Sequence, residues 1–151
     1  MHIAHDDLLS DISGLLAGED DAIANAANVA AAIWQHLADI NWAGFYFLKG
    51  DTLVLGPFQG KPACVRIPMG QGVCGTAAAR RETTVVEDVH QFPGHIACDS
   101  ASNSEIVVPL MKDGSVIGVL DIDSPRFARF GPAERALMEQ VAAVYVAASA
   151  A

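Results

Sequence analysis

Basic side chains are scarce in this chain. Its 151 residues include 9 Lys and Arg against 18 Asp and Glu, which gives a formal net charge of -9. A surface with this excess of negative charge repels phosphate backbones and anionic lipid headgroups. We therefore expect no nucleic acid and no membrane among its partners. A cationic or zwitterionic small molecule is better suited to such a surface.

Long apolar runs are also lacking. Hydrophobic residues make up 52% of the chain, but no uninterrupted run of them is long enough to span a bilayer. Residues 1–7 show no basic segment followed by an apolar one, so they do not resemble a signal peptide. The sequence therefore predicts a single domain, 1–151, in the cytoplasm, where the reducing environment keeps thiols free.

Paired cysteines are the third absence. The three cysteines, Cys64, Cys74 and Cys98, form neither a CxxC nor a CxxH motif. An odd and widely spaced set is a poor disulfide framework and a poor zinc site. It suits a redox cycle in which one thiol reacts, a second resolves the product and a third is a bystander. Cys98 is the candidate for the reactive thiol because residues 90–99 are polar and loop-like.

Metal and nucleotide motifs are missing as well. His90, His95 and Cys98 match no strong zinc spacing, and no fourth ligand is obvious. We expect His95 either on the loop surface or beside Cys98 as an activating group. The Gly-Gln-Gly segment 70–72 lacks the lysine and the glycine pattern of a phosphate loop. We therefore expect neither a metal nor an organic cofactor.

The pattern of apolar residues divides the chain into helices and strands. Pro132 is placed where the first turn of a last helix begins. Residues 88–104 form a long irregular loop, which in a compact domain is usually functional or disordered. The predicted helices are 6–17, 20–38, 73–80 and 132–148, and the predicted strands are 40–48, 52–55, 63–67, 83–87, 105–111 and 116–123.

This order of elements predicts an α+β fold. A central, largely antiparallel sheet of five or six strands carries the N-terminal and C-terminal helices on one face. The parts of the single domain are a helical N-terminal segment 5–38, a sheet core 40–123 and a C-terminal helix 132–148.

The aromatic strand near residue 45 has two candidate faces. Side-chain alternation sends Trp42 and Tyr46 to one face and Phe45 and Phe47 to the other. Aromatic residues favour strands, so all four are compatible with plain sheet core. We expect one pair to meet the helices and the other pair to meet a pocket.

Six segments carry a resemblance to a known family. They are 41–46 (NWAGFY), 55–64 (LGPFQGKPAC), 70–75 (GQGVCG), 95–99 (HIACD), 102–109 (SNSEIVVP) and 118–124 (GVLDIDS). Together they resemble the GAF-domain family, and within it the free methionine-(R)-sulfoxide reductases, over about residues 35–148. GAF folds alone host many functions, sensing among them. The three cysteines in these settings are much more specific.

The resemblance implies roles for the cysteines. Cys98 would attack the sulfoxide and Cys64 would resolve the product. Cys74 would line the site, with or without a part in the disulfide exchange. The family likeness also implies thioredoxin as the reductant and a homodimer. Without the resemblance, packing as a small buried hydrophobe is the default interpretation for Cys64 in its predicted strand. For Cys74 in its short helix, that interpretation is nearly as good as the functional one.

The resemblance also implies a substrate pocket. Trp42 and Tyr46 would form its cage, while Glu105, Asp121 and Asp123 would hold and protonate the substrate. Asp121 and Asp123 share one strand face, where they can converge on the ammonium group of a free amino acid. Glu105 and Asp123 are the first candidates for the acid and the ammonium-binding group.

The chemistry of a sulfoxide suits these residue types. A thiolate is the soft nucleophile that attacks sulfur, and a carboxylic acid with a raised pKa protonates the departing oxygen. The attack leaves a sulfenic acid on Cys98 and releases methionine. A second thiol condenses with the sulfenic acid to a disulfide, which an external dithiol reopens.

Two other functions remain open. One is a GAF module that binds a small ligand such as a cyclic nucleotide without chemistry, although an acidic pocket disfavours phosphate. The other is a thiol redox sensor, which would form a disulfide with peroxide but would not turn over a sulfoxide.

Overall fold

The computed structural model describes residues 2–95 and 101–150. Its helices and strands follow one another along the chain much as the apolar pattern predicts. The helices are α1 (His2–Leu16), α2 (Ala22–His36), α3 (Gly72–Arg80) and α4 (Pro132–Ala148), with a single 3₁₀ turn at Val89–Gln91. The strands are β1 (Trp42–Lys49), β2 (Thr52–Gly60), β3 (Arg66–Pro68), β4 (Thr84–Val86), β5 (Ser104–Lys112) and β6 (Ser115–Ser124).

The six strands form one sheet in the order β3-β2-β1-β6-β5-β4. Every neighbouring pair runs antiparallel. The long β5 and β6 are joined by a tight turn at Asp113 and Gly114, whose φ angles of 51° and 80° are those of a hairpin turn. The predicted α+β fold with a largely antiparallel sheet is thereby confirmed.

Local signals place the helix ends. The Asp21 carboxylate accepts hydrogen bonds from the backbone N–H groups of Ile23 and Ala24 at 3.0 and 2.9 Å, which caps α2. Helix α4 begins at Pro132, whose missing N–H costs nothing in a first turn. The Glu134 side chain accepts from the Gly131 N–H at 2.8 Å and closes that turn.

The sheet separates two hydrophobic layers. Phe45 and Phe47 face α1, α2 and α4, and the Phe45 ring lies 4.7 Å from the Tyr145 ring of α4. Trp42 and Tyr46 face the opposite way, toward α3. The predicted alternation of these aromatic residues is therefore confirmed. The N-terminal and C-terminal helices share one face of the sheet, and the short α3 covers the other.

One strand prediction was wrong. Residues 63–67 were expected as a strand, but β3 is Arg66–Pro68 and the segment 61–65 is irregular. Pro62 has no N–H to give to a ladder, and β2 runs on to Gly60, which leaves little chain for the turn back. Cys64 therefore lies in a connecting segment and not in an alternating strand.

Within the described ranges, none of the helices combines the length and the apolar character that crossing a bilayer requires.

Two glycine-to-alanine changes give opposite predictions for stability. At Gly44, in β1, an added Cβ would lie 2.3 Å from the Phe58 Cβ and 2.8 Å from its Cα. Because backbone must shift to make room, we expect Gly44→Ala to lower the free energy of unfolding by about 2–3 kcal/mol. At Gly14, exposed in α1, nothing lies within 4 Å.

For Gly14→Ala we expect a gain of up to about 1 kcal/mol from helix propensity. Urea unfolding of both variants measures these changes. Equal effects of the two substitutions would contradict the close approach of β1 and β2.

Candidate active site

A cavity opens between α3 and the face of the sheet that α3 covers. Its walls come from β1, β6, β5, the first turn of α3 and the connecting segments on either side. The lining residues are Trp42, Tyr46, Pro62, Ala63, Ile67, Gly72, Val73, Cys74, His95, Ser102, Glu105, Asp121 and Asp123.

Three carboxyl groups form the floor of this cavity. Asp121 and Asp123 lie on β6, and Glu105 lies directly opposite Asp123 on β5. Because side chains repeat every second residue, both aspartates point to the cavity while Ile122 packs in the helical layer. Glu105 and Asp121 are 7% and 5% exposed. Register alone thus brings the three predicted acids together.

Burial keeps protons on this cluster. It raises the pKa of Glu105, and the neighbouring charge of Asp121 raises it further. Burial is also the main cause of the raised pKa of Asp121, followed by the charge of Asp123. The pKa of Asp123 is raised by burial and then by Glu105. Three ionised carboxylates in one buried patch would repel each other, so the cluster retains protons at pH values where an exposed carboxyl is ionised.

Two carboxylate oxygens in the cavity are buried without a hydrogen bond. They are Oδ1 of Asp121 and Oδ1 of Asp123, counted among the described residues. Buried polar atoms are almost always hydrogen-bonded, so two such oxygens side by side indicate groups that a bound molecule satisfies.

Cys74 is placed above the acids by the first turn of α3. The preceding turn needs glycine, since Gly70 and Gly72 have φ angles of +83° and +63°. Cys74 Sγ lies 3.3 Å from Oδ2 of Asp121 and 3.9 Å from Oε2 of Glu105, so the thiol donates to the carboxylates.

A helix N-terminus ordinarily favours a thiolate, but at Cys74 the surroundings oppose one. Burial raises the pKa of the Cys74 thiol, and the charges of Asp121 and Glu105 raise it further. Cys74 is therefore held as a thiol that donates a hydrogen bond, and it is a poor nucleophile in this state.

An aromatic wall faces the acids. The Trp42 ring stacks on Tyr46 at 5.9 Å and on Phe58 at 5.2 Å between ring centroids. Trp42 Nε1 donates to the Lys61 carbonyl at 3.1 Å, and the Tyr46 hydroxyl donates to the Cys64 carbonyl at 2.8 Å. The polar atoms of the wall are thus bonded to segment 61–64, and the Trp42 and Tyr46 rings line the cavity.

Three contributors to the cavity were not singled out from the sequence. Asn41 donates to the Ser102 hydroxyl at 3.0 Å, and Ser102 Oγ lies 3.4 Å from Oδ2 of Asp123 as its donor. Phe58 backs Trp42 from β2. The segment 102–109 contains Ser102, but a serine in a polar stretch gives no signal by itself.

His95 lines the cavity as a half-buried side chain, rather than lying free on the loop surface. Its ring centroid is 6.4 Å from that of His90. Burial lowers the pKa of His95, and His90 lowers it further, so the imidazole is neutral near pH 7.

The structure describes two of the three cysteines. Cys64 takes part in a disulfide, and Cys74 is a free thiol. Cys98 lies in 96–100, outside the described residues, so its predicted role stays a prediction, as does the expectation that His90, His95 and Cys98 hold no metal. Among the described residues, Cys74, Glu105 and Asp121 have potential ligand atoms that all lie within 4.8 Å of one another.

Comparison with known proteins agrees with this geometry. The GAF domain family model matches residues 21–148. The chain is 58% identical over 137 residues to the free methionine-R-sulfoxide reductase of Escherichia coli K12, covering 91% of this chain and 83% of that protein. The chain belongs to the GAF-domain family, among the free methionine-R-sulfoxide reductases.

Solved structures show the same relationship. The free methionine-R-sulfoxide reductase of Neisseria meningitidis, in complex with its substrate, has a TM-score of 0.93 at 45% identity, covering 95% of this chain and 87% of that one. A protein of Burkholderia vietnamiensis described as a putative GAF sensor has a TM-score of 0.94 at 56% identity, covering 98% and 94%. The predicted resemblance to this family is therefore confirmed.

The buried acids predict how stability depends on pH. A folded chain whose Asp121 pKa is raised binds more protons than the unfolded chain once the pH exceeds about 4. The stability that protonated Asp121 contributes is fully present below that pH and is lost as the pH rises toward the folded-state pKa. Each retained proton makes the free energy of unfolding fall by up to about 1.4 kcal/mol per pH unit.

Asp121→Asn removes the titrating group and with it this fall in the free energy of unfolding at rising pH. We expect its free energy of unfolding, relative to the unmodified chain, to increase by at least about 1 kcal/mol between about pH 5 and pH 8. Glu87→Gln, at an exposed position, is the matched control and should show no such trend. Urea unfolding at several pH values makes the measurement, and a pH-independent difference for Asp121→Asn would contradict the raised pKa.

Proposed function

We propose that the chain reduces free L-methionine-(R)-S-oxide to methionine. The observation that carries this proposal is the cavity itself, in which three buried carboxyl groups with raised pKa values face an aromatic wall. A free amino acid brings an ammonium group for ionised carboxylates and a sulfoxide oxygen that needs a proton. The relatives named for this reaction, one of them in complex with its substrate, support the same assignment.

The acids divide two tasks in this proposal. A carboxyl group that keeps its proton at neutral pH donates it to the departing oxygen, and Glu105 on β5 is the candidate. Asp123 and Asp121 bind the ammonium group, whose positive charge favours the ionised forms of these carboxyl groups once the substrate is in place. The unsatisfied Oδ1 atoms of both aspartates support this role.

Trp42 and Tyr46 hold the apolar end of the substrate. Their rings are buried, stacked and fixed through hydrogen bonds to segment 61–64. A methyl-sulfinyl group packed against this wall has its sulfur directed away from the rings, toward the remaining opening of the site. A peptide-bound methionine sulfoxide lacks the free ammonium group, so the acidic floor discriminates against it.

The redox cycle is assigned to two thiols. Cys98 attacks the sulfur of the substrate, the oxygen passes to the cysteine as a sulfenic acid, and methionine leaves. Cys64 then condenses with the sulfenic acid, which releases water and forms a disulfide. The disulfide at Cys64 supports a resolving role for this thiol.

Cys74 has a different role in this scheme. Its raised pKa and its hydrogen bonds to the acids support a thiol that lines the site and tunes the carboxyl groups. Thioredoxin is proposed as the dithiol that reopens the Cys64 disulfide. A cytoplasmic, homodimeric enzyme is the setting that the family likeness suggests.

Substrate selectivity tests the reaction. With dithiothreitol as reductant, we expect the purified R epimer of free methionine sulfoxide to be consumed, and the S epimer and an N-acetylated, amide-capped R epimer to react at least 100-fold more slowly. Methionine release measured by chromatography gives the rates. A chain that forms its disulfide with peroxide but releases no methionine would be a thiol sensor, and the proposal would then be abandoned.

Cysteine variants separate the chemical steps. Cys98→Ser should abolish methionine formation even in a single turnover, because no thiolate remains to attack the sulfoxide. Cys64→Ser should give a normal single-turnover yield with at least a tenfold loss of thioredoxin-dependent turnover, because the sulfenic acid is not resolved. Rapid-quench measurement of one turnover distinguishes them, and a normal single-turnover yield from Cys98→Ser would refute the assignment.

A further inference from the structure

We propose that Cys74, Glu105 and Asp121 form a binding site for a borderline-soft divalent cation of the Zn²⁺ class, and that the bound cation closes the cavity to substrate. The ligand atoms of these three side chains, one thiol sulfur and two carboxylate oxygens, all lie within 4.8 Å of one another. They come from three different elements, α3, β5 and β6, so the sheet register and the helix position hold them in place.

The distances suit tetrahedral coordination. Zinc bonds of about 2.3 Å to sulfur and about 2.0–2.2 Å to oxygen separate neighbouring sulfur and oxygen ligands by about 3.5 Å. Cys74 Sγ lies 3.3 Å from Oδ2 of Asp121 and 3.9 Å from Oε2 of Glu105. Both sulfur–oxygen distances therefore lie within a few tenths of an ångström of the tetrahedral spacing.

The buried oxygens are an independent indication of a missing ligand. Asp121 is only 5% exposed to solvent, and its Oδ1 has no hydrogen bond among the described residues. Asp123 Oδ1, beside it, is also buried without a hydrogen bond. A dication satisfies such oxygens directly, and Asp123 or a water molecule is available as the fourth ligand.

The donor set selects the kind of metal. Mg²⁺ and Ca²⁺ require six or more oxygen ligands, and Mg²⁺ also keeps several of its waters, which a closed site of three side chains does not provide. A thiolate with two carboxylates suits Zn²⁺, Co²⁺ or Cd²⁺. On binding, the thiol proton and the carboxyl protons leave to solvent and the metal–sulfur bond forms, with no change of oxidation state.

Occupation of this site has a consequence for activity. The cation would take the carboxylates that hold the ammonium group and protonate the oxygen, so we expect zinc to inhibit competitively with methionine sulfoxide. This consequence rests on the proposed function, whereas the binding of the metal does not.

The disulfide form of the chain gives a clean test. In it Cys74 is a free thiol, so the titration needs no reductant that chelates metal. We expect titration of this form with Co²⁺ or Cd²⁺ to give a thiolate-to-metal charge-transfer absorption that saturates at one equivalent per chain. Zn²⁺ should abolish the Co²⁺ absorption, and Mg²⁺ at the same concentration should leave it unchanged.

Matched variants locate the site. Cys74→Ser should eliminate the absorption, and Asp121→Asn should weaken binding at least tenfold, since even changes outside the ligand set alter metal affinity roughly 10–100-fold. Glu87→Gln, an exposed acid outside the cavity, should bind as the unmodified chain does. Circular dichroism verifies that each variant is folded.

Two outcomes are informative in different ways. A lack of thiolate absorption in the unmodified chain, or an absorption that persists in Cys74→Ser, would overturn the metal site. Metal binding at Cys74 that leaves the reduction of methionine sulfoxide uninhibited would instead overturn the closure of the cavity by the cation and the placement of the substrate on these acids, whereas the reductase function itself would stand.

Discussion

The structure of the site depends on one constraint, the burial of three carboxyl groups side by side. An isolated buried carboxylate costs several kcal/mol, and a second one nearby adds repulsion. Glu105, Asp121 and Asp123 are nevertheless held side by side on two central strands, with Glu105 and Asp121 only 7% and 5% exposed. The cost is met by keeping protons on the cluster and by donors such as Cys74 and Ser102.

The opposite face of the sheet makes this arrangement tolerable. Ile106, Leu120 and Ile122 alternate with the acids along the same two strands and are fully buried against α1, α2 and α4. Each such side chain contributes about 1.5–3 kcal/mol of burial free energy. One face of β5 and β6 therefore anchors the strands while the other presents groups that would be unstable on a less firmly held scaffold. This is the physical basis for a rigid, preorganised acidic floor.

The sequence predicts much of this because strand alternation is a strict rule. The segment Asp121-Ile122-Asp123 places two acids on one face as soon as it is recognised as strand, and the pairing with Glu105 follows from a tight hairpin. Prediction from side-chain alternation fails where the path of the backbone, and not a repeating pattern, determines whether a segment pairs. Residues 63–67 hold enough apolar side chains to resemble a strand, but Pro62 and the extension of β2 to Gly60 leave only Arg66–Pro68 as β3. The contacts of Phe58 and Ser102 depend on how distant segments meet, which no local pattern encodes.

The position of α3 places a thiol donor beside two of the acids. Cys74 could lower the energy of a carboxylate only as a donor, since a thiolate would add a fourth negative charge to the cluster. Its Sγ is nearer to Asp121 than to Glu105, at 3.3 against 3.9 Å, so the thiol stabilises the ionised form of Asp121 more strongly. Asp123 receives a comparable donor from Ser102. Both aspartates therefore have a neutral donor, but burial remains the largest cause of the raised pKa of each of the three acids. The helix that covers this face of the sheet thus also supplies a donor that offsets part of the cost of burying the acids.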